Sequence, residues 1–256
     1  MPIRTDPWPA GTPCWIDLAV PDVEAAREFY SAVLGWTYLD TGEGYGHYLI
    51  CQRDDRGAAG LSALQNAGQP SAWTTYLASD DVDSTARKIT ANGGKLLAEP
   101  FDVPNAGRMC IGLDPQGAAF GVWQYAGSVG AEIYNEPGSL VWNEAAVADP
   151  DAAREFYAAV FGYSFQDIDG DDTAYTFHRG GDPLGSISGL DASPAGTPSH
   201  WLAYFMVGDA DIAAAVAVER GATVTGGPFD TPYGRIAVIT DPQGATFGII
   251  GSQPTS

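Results

Sequence analysis

The sequence contains little positive charge and few cysteines. Only two of the 256 residues are lysine, and 12 Lys and Arg stand against 32 Asp and Glu, for a net charge of −20. Such a surface repels phosphate backbones and anionic headgroups, so we expect neither nucleic acid nor a membrane as partner. The three cysteines, Cys14, Cys51 and Cys110, form no CxxC pair, which argues against both a disulfide framework and a zinc site.

Long apolar runs are also missing. No run approaches the roughly 20 residues that span a bilayer, and the opening residues lack the apolar core of a signal peptide. We therefore expect a cytoplasmic protein. Apolar residues make up 45% of the chain and charged residues 17%, a composition typical of a globular fold.

The chain repeats itself. The segment Asp22–Trp36 returns as Asp149–Tyr163, and Phe101–Phe120 returns as Phe229–Phe247 with one residue fewer. A long repeat at an even offset indicates two copies of one domain in tandem. We expect the first domain over residues 12–126, a polar linker over 127–139 and the second domain over 140–251.

Each copy also divides into two similar halves. In the first half, Trp15–Val20 is typical of a strand, and Asp22 is suited to cap the helix that follows. The second half begins in the same way, with a strand at Trp73–Ala78 and a helix from Val82 to Ala91. Further strands follow each helix, so the pattern predicts an α+β fold in which a β-α-β-β(-β) unit occurs four times.

Several motifs carry a resemblance to a known family. They are a strand that ends in Val-Pro-Asp, a helix with Ala-Arg-Glu-Phe-Tyr, and a Gly-Arg pair before Asp-Pro-Gln-Gly, at positions 20–22, 26–30, 107–108 and 114–117. The chain resembles the vicinal oxygen chelate superfamily of glyoxalases, bleomycin-resistance proteins and extradiol dioxygenases. It looks most like the tandem actinobacterial glyoxalase-like proteins of the culture-filtrate antigen type. The resemblance implies four βαβββ modules that form two tandem glyoxalase-like domains, each a cupped mixed sheet with its ligand in the cup.

The resemblance also indicates where metal ligands would stand. Metal-dependent members carry His, Gln or Glu on the first strand of each module and Glu on the last strand. Here those positions hold Trp15, Thr74, Trp142, Leu202, Gly121 and Gly248. None of the three histidines falls on such a position. We therefore expect no metal ion and no other cofactor.

Strand alternation selects the side chains that face each cup. With Ile16 and Leu18 assigned to the helix side, Trp15 and Asp17 point inward. The same reasoning gives Asp17 and Glu144 as candidate catalytic groups. It gives as candidate ligand-binding residues Trp15, Thr74, Tyr76, Arg108, Cys110 and Trp123 in the first cup, with Trp142, Tyr204 and Arg235 in the second. A structural alternative is that each carboxylate forms a salt bridge with the nearby arginine.

These residues predict a metal-independent protein that binds a small apolar or aromatic molecule in aromatic-lined cups. Three alternatives stay open: an enzyme that uses the carboxylates and tyrosines for acid–base, lyase or hydroxylase-like chemistry, a metalloenzyme of the glyoxalase or dioxygenase kind with unusual ligands, and a scaffold protein. We expect a small-molecule ligand as the partner. We expect a monomer or a homodimer: the two tandem domains already pair within one chain, so a monomer would be self-sufficient, and a homodimer stays open.

Overall fold

The protein is built from two eight-stranded sheets, one for each copy of the repeat. The computed structural model describes residues 4–66, 68–168, 170–191 and 193–251. In this part of the chain the longest helices have 12 residues, and no helix is long and apolar enough to cross a membrane.

The first sheet and its two helices account for residues 13–125. Its elements are β1 (Pro13–Val20), α1 (Val23–Leu34), β2 (Thr37–Asp40), β3 (Leu49–Arg53), β4 (Arg56–Ala63), β5 (Ala72–Ala78), α2 (Val82–Ala91), β6 (Lys95–Val103), β7 (Gly107–Leu113) and β8 (Ala119–Tyr125). The second copy repeats this order. Its elements are β9 (Leu140–Val147), α3 (Pro150–Phe161), β10 (Ser164–Ile168), β11 (Asp171–His178), β12 (Pro183–Gly189), β13 (His200–Val207), α4 (Ala210–Glu219), β14 (Thr223–Thr231), β15 (Gly234–Thr240) and β16 (Thr246–Gly251).

Both sheets have the same strand order. The first is β2-β3-β4-β1-β5-β8-β7-β6, and the second is β10-β11-β12-β9-β13-β16-β15-β14. The first strands of the two modules, β1 and β5, meet antiparallel at the centre, and each pairs with the last strand of its own module in parallel. The expected α+β class and the four βαβββ modules are therefore confirmed.

The helices begin and end where the sequence indicates. At α1, Asp22 accepts a hydrogen bond from the backbone N–H of Ala25 at 3.0 Å, which satisfies one of the free donors of the first turn. The helix ends at Gly35, whose φ of 71° is a left-handed conformation that favours glycine. Asp149 and Gly162 repeat this arrangement at α3. Identical caps hold α1 and α3 in equivalent places on the two sheets.

The hydrophobic core is shared between the two copies. One cluster of buried side chains combines β1 and α1 of the first copy with α4, β15 and β16 of the second. The other combines α2, β7 and β8 with β9, α3 and β12. Phe29 meets Phe247 in the first cluster at a ring distance of 6.3 Å, and Phe120 meets Phe156 in the second at 6.2 Å. Each core thus takes side chains from both copies.

The repeated Asp-Pro-Gln-Gly turn joins the two copies. In the first copy, Asp114 accepts a hydrogen bond from Tyr157 on α3 at 3.2 Å, and the Gln116 side chain bonds the backbone of Asp149 at 2.6 Å. The second copy makes the same contacts in reverse, between Asp241 and Tyr30 and between Gln243 and Asp22. This motif therefore ties each copy to the first helix of the other.

Candidate functional site

The concave face of the first sheet is selected by the alternation of its central strand. Along β1, Ile16, Leu18 and Val20 are fully buried in the core with the helices. Trp15 and Asp17 therefore point to the opposite face, as predicted. That face encloses a cavity of about 920 Å³.

The cavity has aromatic walls and few polar groups. Its aromatic lining comes from β1, β5, β6 and β8 and from the turn before β3, as Trp15, Tyr45, Tyr48, Tyr76, Phe101 and Trp123. Its polar lining is Asp17, Thr41, Ser62, Gln65, Asp102 and Ser128. This make-up and this size are usual for a site that encloses a small molecule. A second, smaller cavity of about 190 Å³ lies behind Trp123, against the N-terminal segment at Pro7 and Trp8.

Asp17 is held by two phenol groups. Tyr76 donates a hydrogen bond to its Oδ2 at 3.0 Å, and Tyr48 donates to the same atom at 3.4 Å. Tyr48 in turn accepts a hydrogen bond from Trp15 Nε1 at 2.9 Å. Burial raises the pKa of Asp17 to about 6, against the opposing effect of the two phenols. The carboxyl group can therefore exchange a proton near neutral pH.

Two glycines make room for these phenol groups. A Cβ at Gly121, which pairs with Tyr76 in the register of β5 and β8, would lie 2.6 Å from Tyr76 Cγ and would overlap the ring. A Cβ at Gly60 would overlap the Tyr48 hydroxyl. The resemblance noted above implies a metal ligand at position 121. Here the Tyr76 ring occupies the space that such a side chain would need.

A tyrosine bridges the two ends of the sheet across the cavity. Tyr45 lies in the 3₁₀ turn Glu43–Tyr45 between β2 and β3, and its hydroxyl donates a hydrogen bond to the carbonyl of Pro104 at 2.9 Å. Pro104 belongs to the turn between β6 and β7, at the other end of the strand order. Both residues line the cavity. The contact therefore helps to close the curled sheet around the site.

The second copy arranges its carboxylate differently. Tyr204 donates a hydrogen bond to Glu144 Oε2 at 2.7 Å, and Ser188 donates to Oε1. Both carboxylate oxygens are thus bonded by the protein. Trp142 Nε1 donates to Ser186 Oγ at 2.9 Å. The predicted residues Trp142, Glu144 and Tyr204 therefore do come together.

Compensating exchanges explain the difference between the copies. By strand register, the second copy has Ala174 where the first has Tyr48, and Ser186 where the first has Gly60. In each case the indole of the first strand finds one hydroxyl to donate to, from tyrosine in one copy and from serine in the other. The tyrosine–glycine pair across the central strands is kept, since a Cβ at Gly248 would lie 2.7 Å from Tyr204 Cγ.

The prediction that Arg108 and Arg235 face the cups is wrong. Arg108 bonds Asp83 of α2 through Nε at 2.8 Å and Asp102 at 2.8 Å, and Arg235 bonds Asp211 of α4 at 2.7 Å and Asp230 at 3.0 Å. The Arg108 guanidinium holds the pKa of Asp83 below its usual range. The arginines therefore tie a helix to a strand, and the expected salt bridge with Asp17 or Glu144 is not formed.

The orientation predicted for Cys110 is also wrong, because Cys110 lies on the same face of β7 as Arg108. Cys110 is buried in the core beside α2, and that burial raises the pKa of its thiol to about 12. Met109 lines the cavity instead, and Ile111 lies in the same cluster as Trp15 and Tyr76. Because the more apolar side of β7, with Met109 and Ile111, faces the cup and not the helix, an assignment of its apolar residues to the helix side chose the wrong alternation.

The remaining predicted residues of the first cup are Thr74 and Trp123. Trp123 lines the cavity and donates its Nε1–H to the carbonyl of Ser128 at 3.0 Å. Thr74 pairs with Asp17 in the register of β1 and β5 and shares its face of the sheet. A ligand-binding role for these residues stays a prediction.

Sequence analysis missed Tyr48, Gly60, Ser186 and Ser188. Tyr48 precedes β3 directly, where the alternation of the buried Leu49 and Cys51 puts it on the concave face. That alternation was the available signal. Glycine and serine at the central position of the fourth strand gave no comparable signal, because their roles depend on a partner in another strand.

Metal-binding side chains are not gathered anywhere in the described residues. No group of three or more His, Cys, Asp or Glu there has the arrangement of a metal site. The histidines have local partners: His47 bonds Asp40 at 3.0 Å, His178 bonds Thr176 at 2.8 Å, and His200 bonds the carbonyl of Pro198 at 2.9 Å. None of the three lines the large cavity.

Known proteins resemble the chain over nearly its whole length. It is 38% identical over 262 residues to the Mycobacterium tuberculosis protein named "Putative glyoxylase CFP32", with 99% of each chain covered. It is 36% identical over 256 residues to the anthracycline biosynthesis protein DnrV of Streptomyces peucetius, with 94% of this chain and 93% of that protein covered.

Solved structures share the fold at low sequence identity. The Mn(II)-bound glyoxalase from Novosphingobium aromaticivorans matches with a TM-score of 0.67 and 15% identity, over 96% of this chain and 83% of that one. The 2,3-dioxygenase LapB from Pseudomonas sp. KL28 matches with a TM-score of 0.64 and 15% identity, over 96% and 94%. The family model of the Glyoxalase/Bleomycin resistance protein/Dioxygenase superfamily matches residues 14–122 and 139–249. The chain therefore belongs to this superfamily, which it matches once in each of its two copies.

Proposed function

We propose that the protein binds a small apolar or aromatic molecule in the cup of its first copy, without a metal ion. The observation that carries this proposal is the cavity of about 920 Å³ on the concave face of the first sheet. Indole and phenol rings form its walls, and Asp17 presents a carboxyl group to its interior. Flat apolar walls favour a flat apolar ligand, and a few polar groups would set its orientation.

One relative supports an aromatic ligand. The protein from Streptomyces peucetius is named for anthracycline biosynthesis, and anthracyclines are compounds with fused aromatic rings. Trp15, Phe101 and Trp123 in the lining of the cavity offer rings on which a fused-ring compound can stack. We take this class of molecule as the first to test.

The side chains at the family's ligand positions support binding without a metal. Indole and leucine side chains offer no electron pair to a divalent cation. The last-strand positions hold glycines, and their space is taken by Tyr76 and Tyr204. A metal-dependent glyoxalase or dioxygenase reaction would need ligands from elsewhere in the chain.

Calorimetric titration with a fused-ring aromatic compound such as an anthraquinone tests the proposal. We expect saturable binding of one molecule per chain, unchanged by EDTA, and recovery of the compound unaltered. Trp15→Phe and Trp123→Phe are each expected to weaken binding about threefold to tenfold, by loss of stacking area. Trp142→Phe, the matched change in the second copy, is expected to leave it unchanged. Absence of saturable binding, or binding that needs a stoichiometric metal ion, would contradict the proposal.

A second candidate is an acid–base enzyme that works in the same cavity. The specific observation is Asp17, since a carboxyl group with a pKa of about 6 is suited to take up and release protons near neutral pH. The test is mass spectrometry of the compound after incubation. Turnover that persists in EDTA and is lost in Asp17→Asn would favour this candidate over simple binding.

A further inference from the structure

The charge of the first cup is negative. Asp17 turns its carboxylate into the cavity, and no Lys, Arg or His is among the described residues that line it. Asp102 also lies along the cavity, but its carboxylate faces the outer side of the sheet, where Arg108 bonds it at 2.8 Å. The described part of the chain offers Asp17 no such partner, because its hydrogen bonds come from neutral phenols alone.

The hydrogen bonds of Asp17 leave one of its oxygens for a ligand. Tyr48 and Tyr76 both donate to Oδ2, and no other described side chain bonds the carboxyl group. Removing a carboxylate from water is costly unless a positive charge or several donors compensate for it. Two phenols at one oxygen compensate only in part, so a cation beside Oδ1 would gain a strong interaction.

Aromatic rings surround this carboxylate. Trp15 lies two residues away on the same face of β1, and the rings of Tyr48 and Tyr76 approach Asp17 through their hydroxyls. The faces of such rings attract a cation, most strongly where water is excluded. A carboxylate among aromatic rings is therefore suited to an ammonium group.

We propose that the ligand of the first cup carries a positively charged nitrogen, as a protonated amine, which binds at Asp17 while the aromatic body of the ligand lies against Trp123 and Phe101. This inference rests on the proposed function and narrows its ligand class. It excludes carboxylate and phosphate compounds, which would meet the negative charge of Asp17 in a cavity with no positive side chain in its described lining.

The second copy supplies a matched control. Glu144 has hydrogen bonds at both oxygens, from Ser188 to Oε1 and from Tyr204 to Oε2. Glu144 and Asp17 occupy equivalent positions in the two sheets. Asp17 pairs with Gly60 of β4, and Glu144 pairs with Ser186 of β12. Glu144→Gln thus changes an equivalent carboxylate without altering the first cup.

Three probes that share one ring system test the inference. They are 1-naphthylmethylamine as the cation, 1-naphthylmethanol as the neutral analogue and 1-naphthoate as the anion, each titrated by calorimetry near pH 7.5. We expect the cation to bind about tenfold or more tighter than the neutral analogue, and the anion to bind most weakly. Asp17→Asn is expected to reduce the preference for the cation to about twofold, whereas Glu144→Gln keeps it.

The possible outcomes separate the inference from the proposed function. Equal binding of cation and neutral analogue by the unaltered protein would overturn the inference and leave the aromatic site in place. A cation preference that survives in Asp17→Asn would overturn the assignment to Asp17. If neither the amine nor the alcohol binds, the aromatic site itself is contradicted, and the inference falls with it. The ranking of the three probes needs no variant, so a variant that fails to fold does not prevent the test.

Discussion

The ring of Tyr76 occupies the space that a side chain at position 121 would need. A Cβ on Gly121 would lie 2.6 Å from Tyr76 Cγ, and the Tyr76 hydroxyl on the far side of the ring donates to Asp17. The same relation holds between Gly248 and Tyr204, whose hydroxyl bonds Glu144. In both copies a glycine therefore leaves the space for a tyrosine ring, and the hydroxyl of that ring donates to the carboxylate.

Gly121→Ala is expected to push the Tyr76 ring away and to break its hydrogen bond with Asp17. Overpacking of this kind typically costs about 1–3 kcal/mol in the free energy of unfolding. Urea denaturation measures that cost, and calorimetry with the aromatic probe measures the accompanying loss of affinity. Gly248→Ala is the control, with a similar cost in stability and unchanged binding in the first cup. Equal losses of affinity from both variants would show that the cups are not separate sites.

The pair Tyr48 and Gly60 is expected to behave as one unit. Gly60→Ser alone puts a Cβ into the Tyr48 hydroxyl and is expected to destabilise the fold by about 1–3 kcal/mol. Adding Tyr48→Ala should recover part of that cost, because the two changes together reproduce Ser186 and Ala174 of the second copy, with a serine hydroxyl for the indole. A double-mutant cycle by urea denaturation measures the coupling. Strictly additive effects would contradict it.

Asp17 is expected to make stability depend on pH. Its pKa in the folded protein is about 6, above the ordinary value of 3.8, so the folded state binds the proton more tightly than the unfolded state. The stability that this gives is fully present below about pH 3.8 and is lost as the pH rises through about 6, with a change on the order of 3 kcal/mol. Burial raises the pKa of the neighbouring Tyr48, Tyr76 and Cys51, so none of these titrates in that window.

Urea denaturation of the unaltered protein and of Asp17→Asn at several pH values measures this effect. The difference between the two free energies should move in favour of Asp17→Asn as the pH rises from 4 to 7.5. A carbon-13 NMR titration gives the pKa directly from the carboxyl signal that Asp17→Asn removes. Tyr76→Phe should shift that pKa upward, because the phenol lowers it. A carboxyl signal that titrates near 4 would refute the expectation.

Arg108 and Arg235 are expected to matter for stability and not for ligand binding. Each ties a helix to a strand through two carboxylates, outside the lining of the large cavity. Arg108→Gln and Arg235→Gln should both lower the urea midpoint while the affinity for the neutral aromatic probe stays the same. Trp15→Phe serves as the positive control for lost affinity. A selective loss of affinity in Arg108→Gln would contradict the position that we assign to this residue.

The repeat and the capping residues can be recognised without knowledge of the folded structure, and they predict the tandem copies and the ends of the helices. Asp22, Gly35 and their counterparts Asp149 and Gly162 mark helix ends by rules that need no knowledge of the partner strands. The strands β2 and β6 were not predicted. β2 has four residues and lies mostly exposed at the sheet edge, so no hydrophobic period distinguishes it from a loop.

The site could be predicted only in part, for a related reason. Trp15 and Asp17 follow from alternation on β1, whose two faces differ clearly in polarity. On β7 the side that faces α2 carries Arg108 and Cys110, whereas the more apolar side with Met109 faces the cup, so the apolar pattern assigned the wrong side. Contacts between distant strands, such as Gly60 with Tyr48, depend on register, which the sequence does not state.

The two shared cores make each half of the molecule depend on the other for stability. Since each core is filled from both copies, a fragment that ended after the first copy would expose half of each to water. Such fragments should become structured only on mixing, and to an extent that rises with their concentration. The segment over 127–139 removes this dependence by keeping the halves permanently near each other. It joins into one chain two halves that would otherwise have to associate, and it lets the two cups carry different residues.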